Sequence, residues 1–127
     1  MNFKKLETSQ KLRGGYYTPK YLSDFICNYI INKKCKNVLE PSFGDGSFLK
    51  SLNTKNKNIS VDGVEIDKEE FDKVNKNSAY NLINADFLSW YLNNGEEKKY
   101  DAIVGNPPFV RYQYLDNQLQ KSALIKL

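Results

Sequence analysis

A chain of 127 residues with 40% hydrophobic and 13% aromatic residues has the apolar content to fold and the length for one domain. Its formal charge is +4, and it contains no histidine, which excludes Ser-His-Asp and Cys-His nucleophile systems and every histidine-ligated metal site. Cys27 and Cys35 have neither the CxxC spacing of a zinc site nor the number of a disulfide framework, so no metal is expected and a reducing, cytoplasmic setting is.

The opening Met1-Asn2-Phe3-Lys4-Lys5 leads into no apolar stretch, so it does not read as a signal peptide. The apolar patch at 25–31 is broken by Cys27, Asn28 and Tyr29 and is too short to span a membrane. The positive excess is compatible with a phosphate-backbone partner. Lysine and asparagine nevertheless recur throughout, as in Lys55-Asn56-Lys57-Asn58, and the same bias describes an ordinary solvated surface. Charge alone decides nothing.

Residues 1–13 carry no period and are expected to form a flexible arm, leaving 14–127 as the folded domain. Gly14-Gly15 breaks the chain. Thr18 is then expected to cap a helix that has Pro19 at its first position, with Leu22, Phe25, Ile26, Tyr29 and Ile30 as its apolar stripe and an end near Lys34. Val38-Leu39-Glu40 reads as a buried strand, Ser42-Phe43-Gly44-Asp45-Gly46 as a glycine loop, and 47–52 as a short helix. A second strand spans 59–66, and Asp67 with Glu70 forms a capping box for a helix over 68–76. A third strand covers 80–84, a helix 87–92, a turn Asn93-Asn94-Gly95, and a fourth strand 100–104, stopped by Gly105-Asn106-Pro107-Pro108.

Strand and helix alternating at spacings of about twenty residues predict an α/β fold with a parallel sheet. Such sheets bind ligands outside the carboxyl ends of their strands, where this chain places Glu40, Glu65, Asp86 and Asn106. One hydrogen-bonding side chain per strand at a single edge reads as a ligand crevice.

Each group also has a plainer reading. The loop after Glu40 lacks GxGxxG and GK[ST], and its acids Glu40 and Asp45 would repel phosphate. It suits a cationic or phosphate-free ligand, or it is only a tight turn. Glu65, about 25 residues after Glu40, stands where an acid accepts from ribose hydroxyls in dinucleotide-type folds, or it is a helix-cap partner. Asp86 is an acceptor for an adenine amino group, the N-cap of the helix at Phe87, or both. At Asn106-Pro107-Pro108-Phe109 two prolines remove two backbone donors, and Pro107 forces Asn106 into an extended conformation. The Asn106 amide oxygen and the Pro107 carbonyl, with a flat ring beside them, match an exocyclic amine on a planar base. The plainer reading is a strand-ending turn with a core phenylalanine.

Glu40-Pro-Ser-Phe-Gly-Asp-Gly-Ser-Phe-Leu49, Gly63-Val-Glu-Ile-Asp67, Ala85-Asp-Phe-Leu88 and Asp101-Ala-Ile-Val-Gly-Asn-Pro-Pro-Phe-Val110 together resemble motifs I to IV of N6-adenine-specific DNA methyltransferases. Gly15-Tyr-Tyr-Thr-Pro19, upstream of motif I, resembles motif X in the gamma-class order. The extension Phe109-Val-Arg-Tyr-Gln113 is similar to restriction-modification enzymes, including type IIG. The NPPF tetrapeptide alone is shared with protein-glutamine and some RNA methyltransferases, but those families usually lack an upstream motif X.

The resemblance implies a Rossmann-like fold and S-adenosyl-L-methionine as cofactor. By that resemblance Thr18 and the loop with Glu40, Pro41, Gly44 and Gly46 hold the methionine part. Glu65 takes the ribose, Ile66 lies against the adenine, and Asp86 with Phe87 holds the adenine. A target adenine flipped out of DNA would stack on Phe109, with Asn106, Pro107 and Pro108 at the catalytic position. Family members continue beyond motif IV into further strands and a target recognition region. The stretch 117–127 reads as a helix without a closing turn, so a missing carboxy-terminal half or a partner chain is expected. A non-catalytic remnant is the alternative from outside the enzymes.

Overall fold

The computed structural model describes residues 17–74, 80–95 and 97–108, and the structural statements below concern those residues. Residues 17–107 form one compact unit, which carries the strands and helices described below. The expected arm at 1–13 and the helical stretch at 117–127 lie outside the described residues.

Four strands form one parallel sheet: β1 (Asn37–Glu40), β2 (Ser60–Glu65), β3 (Tyr80–Asn84) and β4 (Ala102–Ile103), in the order β3-β2-β1-β4. The helices are α1 (Lys20–Asn32), α2 (Ser47–Lys55), α3 (Lys68–Lys73) and α4 (Phe87–Trp90), the last running into a π-helical turn, Tyr91–Gly95. None is long and apolar enough to cross a membrane.

Adjacent strand residues serve opposite faces of the sheet. Val38 and Val61 join Phe43, Phe48, Leu49 and Leu52 in a large core, which also takes Cys27 and Ile30 of α1 and Phe71 of α3. Leu39 and Val64 face the other way and meet Trp90 in a smaller core. Burial on both faces explains why β1 is apolar at the successive positions Val38 and Leu39 and why Val61 and Val64 of β2 serve opposite cores.

That second face contains a charged group. Asp62, in the middle of β2, accepts hydrogen bonds from Tyr100 Oη (2.6 Å), Lys98 Nζ (2.7 Å) and Asn81 Nδ2 (2.9 Å). Burial by itself would raise its pKa, but these three donors and the Lys98 charge bring it below the ordinary value of 3.8. The cluster ties the approach to β4 across β1 to β2. Asp101 closes the same end, accepting from the backbone N–H groups of Lys36 (2.8 Å) and Asn37 (2.9 Å).

Several expected details differ. Pro19, not Thr18, occupies the N-cap of α1, with ψ at 144°, so Thr18 caps nothing and its hydroxyl is directed elsewhere. The expected stripe of α1 is largely outward. Leu22, Phe25 and Tyr29 are exposed, while Ser23, Cys27 and Ile30 are buried. Small side chains on the inner face let α1 lie close to α2, where the Cys27 thiol points at the Phe48 carbonyl (3.7 Å) and Ser51 Oγ bonds Asp24 (2.6 Å).

The capping box is half-formed. Asp67 accepts from the Glu69 and Glu70 amides, but Glu70 pairs with Lys73 instead of reaching back. Helix α3 ends at Lys73 rather than at 76, and α2 extends to Lys55. The turn expected at Asn93-Asn94-Gly95 is part of the π-helical segment, and β4 is only two residues long.

Because the folded Asp62 titrates below 3.8, its contribution to stability is present above that value and is lost as pH falls through the folded pKa. Asp62→Asn is therefore expected to lose about 1–3 kcal/mol near neutrality. The gap from wild type should narrow in acid. Urea unfolding at a series of pH values measures it, and a gap independent of pH would mean that charge plays no part.

Candidate cofactor and catalytic site

The sheet order reverses at β1, with β2 and β3 on one side and β4 on the other. A parallel sheet that changes direction in this way opens a crevice at the carboxyl edge of the two strands that flank the switch. Those are β1 and β4. The Val104 amide donates to the Leu39 carbonyl at 2.9 Å, and a Cβ added to Gly105 would stand 3.4 Å from Pro41 Cδ, so the two strand exits touch. Asn106 follows at once, and its amide nitrogen donates to Thr18 Oγ1 at 3.4 Å. Thr18, Pro41 and Asn106 thus converge from three distant parts of the sequence.

The loop from β1 to α2 is built on two positive backbone angles, φ 52° at Gly44 and 73° at Gly46, a region that side chains other than glycine's strain to adopt. Buried Phe43 anchors it, with its amide donating to the Val64 carbonyl (3.0 Å) and its carbonyl accepting from Gly46 N–H (2.8 Å). Asp45 accepts from the Ser47 amide (3.1 Å) and hydroxyl (2.6 Å), which starts α2. Among the described residues, a Cβ added to Gly44 would meet Tyr17 Cε1 alone, at 4.0 Å. The loop backbone can therefore be approached by a ligand, with Tyr17 beside it.

Glu65 holds that loop. Its Oε2 accepts from the Gly44 amide at 2.8 Å and its Oε1 from the Asp67 amide at 2.7 Å. The side chain is buried, and Asn84 closes the neighbouring strand exit by donating to the carbonyls of Glu65 (2.8 Å) and Ile66 (3.2 Å). Ile66 itself is 68% exposed, an apolar surface directly beyond these acceptors. Of the two readings of Asp86, the cap is present, with Oδ1 accepting from the Ser89 amide at 2.9 Å. Phe87 is half-buried, with its ring 6.2 Å from that of Trp90 and 5.8 Å from that of Tyr91.

Glu40 differs from the other acids. It is 1% exposed, and its Oε2 has no hydrogen-bond partner. The buried Ser42 hydroxyl two residues on is also unpartnered. Burial pushes the Glu40 carboxyl well above its ordinary value, and the negative charges of Asp45 and Glu65 push it the same way. Two orphaned polar atoms beside an open glycine loop fit a ligand that brings N–H donors or a positive charge, and they do not fit a phosphate.

The sequence-predicted groups are therefore partly brought together. Thr18, Glu40, Pro41, Gly44, Gly46, Glu65, Ile66, Asn106 and Pro107 lie on the unit that carries this edge. Phe109 lies outside the described residues, and Pro108 falls outside that unit. Sequence reasoning missed Ser42 and Asn84, which have no signature beyond sitting at strand exits, and it missed that Glu65 ties two backbone amides.

A parallel sheet in this order, with a glycine loop after β1 and an acid ending β2, defines a Rossmann-like methyltransferase fold. Two structures of the plantazolicin methyltransferase BpumL in complex with a desmethylPZN analog and SAH share it. Their TM-scores are 0.53 and 0.56 at 19% and 20% identity, covering 85% and 87% of this chain and 40% and 45% of theirs.

The family is narrower than the fold. The family model described as N-6 DNA Methylase matches residues 3–126, and the chain belongs to that family. The type II methyltransferase M.CvrRI of Paramecium bursaria Chlorella virus XZ-6E is 32% identical over 107 residues, 84% of this chain and 27% of the relative. The type II methyltransferase M.HincII of Haemophilus influenzae is 32% identical over 120 residues, 94% of this chain and 22% of the relative. This chain thus spans about a quarter of the length of these curated relatives.

Glu65→Ala leaves the Gly44 and Asp67 amides without their acceptor. A loss of about 1–3 kcal/mol is expected in urea unfolding. Native-state hydrogen exchange should show the Gly44 and Asp67 amides losing protection more than the amides of β1. Uniform loss across the sheet would contradict the local role.

Proposed function

We propose that the chain is the cofactor-binding and catalytic-motif part of a methyltransferase that transfers a methyl group from S-adenosyl-L-methionine to N6 of adenine in DNA. On this reading it has gamma-class motif order and is of the kind found in restriction-modification enzymes, type IIG included. The observation that carries the reading is the position of Asn106. It leaves β4 against the exit of β1 and within hydrogen-bonding reach of Thr18. Membership of the N-6 DNA methylase family supports the substrate class. Residues 14–127 are on this view part of a catalytic domain, and the DNA partner is recognised together with further chain or a partner chain.

In this site Thr18 and the loop bearing Glu40, Pro41, Gly44 and Gly46 would hold the methionine portion. Glu65 accepts from ribose hydroxyls through the lone pairs its two backbone bonds leave, Ile66 covers the adenine ring, and Asp86 with Phe87 holds its edge. The cofactor, when bound, supplies a methyl group on a sulfonium. The Asn106 amide oxygen and the Pro107 carbonyl accept the two N6 hydrogens of a flipped adenine, while Pro108 keeps the turn rigid and Phe109 stacks on the ring. Accepting both hydrogens withdraws the nitrogen lone pair from conjugation and aims it at the cofactor side of the crevice. The amine loses its proton after the bond to carbon forms, so no side chain of matched pKa is needed. A chain with no histidine meets that requirement.

Asn106→Ala should lower methyl transfer by about a hundredfold or more while leaving cofactor affinity within about twofold. The assay measures labelled methyl groups in unmethylated duplex DNA, followed by nucleoside analysis, with calorimetry for cofactor binding. Label in RNA or in a glutamine-bearing peptide, and none in adenine, would replace the DNA reading by one of those substrates. Full transfer by the variant would remove Asn106 from its role.

A further inference from the structure

We propose that Glu40 selects for positive charge by changing its own: it is a neutral acid while the crevice holds only water, and it releases its proton to solvent when a ligand brings an amine or sulfonium cation to it. The proposal deepens the cofactor reading above and rests on it.

The geometry leaves Glu40 few other options. Its side chain is 99% removed from solvent, as its 1% exposure shows, and its Oε2 finds no donor. A buried carboxylate needs a cation or several N–H donors to remain ionised. Glu65, the comparable acid on β2, has such donors in the Gly44 and Asp67 amides. Glu40 does not.

The groups that face Glu40 make the ionised state worse. Asp45 of the loop and Glu65 of β2 both act on it as negative charges, and among the described residues the thiol of Cys27, from α1, is a further titratable group that interacts with it. Among the described residues none of the lysine ion pairs involves it, and Lys50, the lysine of the adjoining helix turn, donates to the Asp45 carbonyl. Burial and these charges raise its titration well above the ordinary carboxylate value. The Ser42 hydroxyl, two residues on in the chain, is likewise buried and unpartnered.

A cation arriving at Oε2 reverses the balance, because an opposite charge within a few ångströms favours the carboxylate. The proton goes to the buffer, and no bond in the ligand changes. Three consequences follow from linkage. Binding of a cationic ligand releases close to one proton wherever the empty site holds the acid form. Affinity for that ligand rises by up to about tenfold per pH unit below the titration of Glu40 and levels off above it. A neutral nucleoside such as adenosine, with no cation to offer, releases none.

Calorimetric titration of the full chain with S-adenosylmethionine, at one pH between 4.5 and neutrality in two buffers of different ionisation enthalpy, measures the released protons directly. Close to one proton is expected for wild type and none for adenosine. Glu40→Gln should show none and bind the cofactor about tenfold or more weakly. Infrared difference spectra of the wild-type protein cover the possibility that the variant does not fold. The carbonyl stretch of a buried carboxylic acid should disappear on adding S-adenosylmethionine and persist with adenosine. Binding without proton release and with that band unchanged would overturn the role of Glu40 and leave the cofactor reading standing. Failure of the wild-type chain to bind would overturn the cofactor reading, and this one with it.

Discussion

Everything at the candidate site depends on where β1 sits in the sheet. With β2 and β3 on one flank and β4 on the other, the strand order reverses at β1, and the carboxyl ends of β1 and β4 lie side by side at that point. The backbone bond from Val104 to Leu39 and the contact of Gly105 with Pro41 fix the separation of the two exits. Asn106 and the glycine loop are then neighbours by construction. A shift of one residue in the register of β4 against β1 would point Asn106 to the opposite face of the sheet. The clasp of Asp101 on the amides of Lys36 and Asn37, at the other end of the same strand pair, opposes that shift.

The layer order was legible because a parallel sheet leaves strong marks. Val38 and Leu39 of β1, and Val61 and Val64 of β2, serve opposite faces, β1, β2 and β3 end in Glu40, Glu65 and Asn84, and glycines follow β1 and β4. Most of the candidate site was legible for the same reason, since its residues other than Thr18 lie at or follow strand exits. What failed was local. Thr18 has the chemistry of an N-cap, but Pro19 took the cap position and left the threonine hydroxyl for Asn106. That preference has no expression in the local sequence, because the competing partner lies 88 residues away.

Helix α1 shows a second kind of failure. Periodicity finds the apolar stripe of Leu22, Phe25, Ile26, Tyr29 and Ile30, of which only Ile30 is buried and Ile26 partly so, while Ser23 and Cys27 complete the inner face. Hydrophobic pattern reports which face is apolar, whereas close helix packing selects the face that is small. Helix α1 approaches α2 through Ser23 and Cys27 with Ile30 beside them, and Leu22, Phe25 and Tyr29 are left outward. The capping box fails similarly. Glu70 found Lys73 within its own helix, and the Asp67 amide was satisfied by Glu65 from β2.

The acids of this edge divide according to what the fold supplies to them. Glu65 and Asp86 receive backbone donors, and Asp45 receives the amide and hydroxyl of Ser47. Each is thereby committed to holding a loop or starting a helix whether or not a ligand is present. Glu40 is the most deeply buried of the four and is given nothing at Oε2. A fold that satisfied Glu40 internally would remove the feature on which the proposed proton-linked role rests. An otherwise basic protein thus lines one edge with acids, and only the central one is left to a cationic visitor. The unsatisfied atom is better read as a binding feature than as a packing defect.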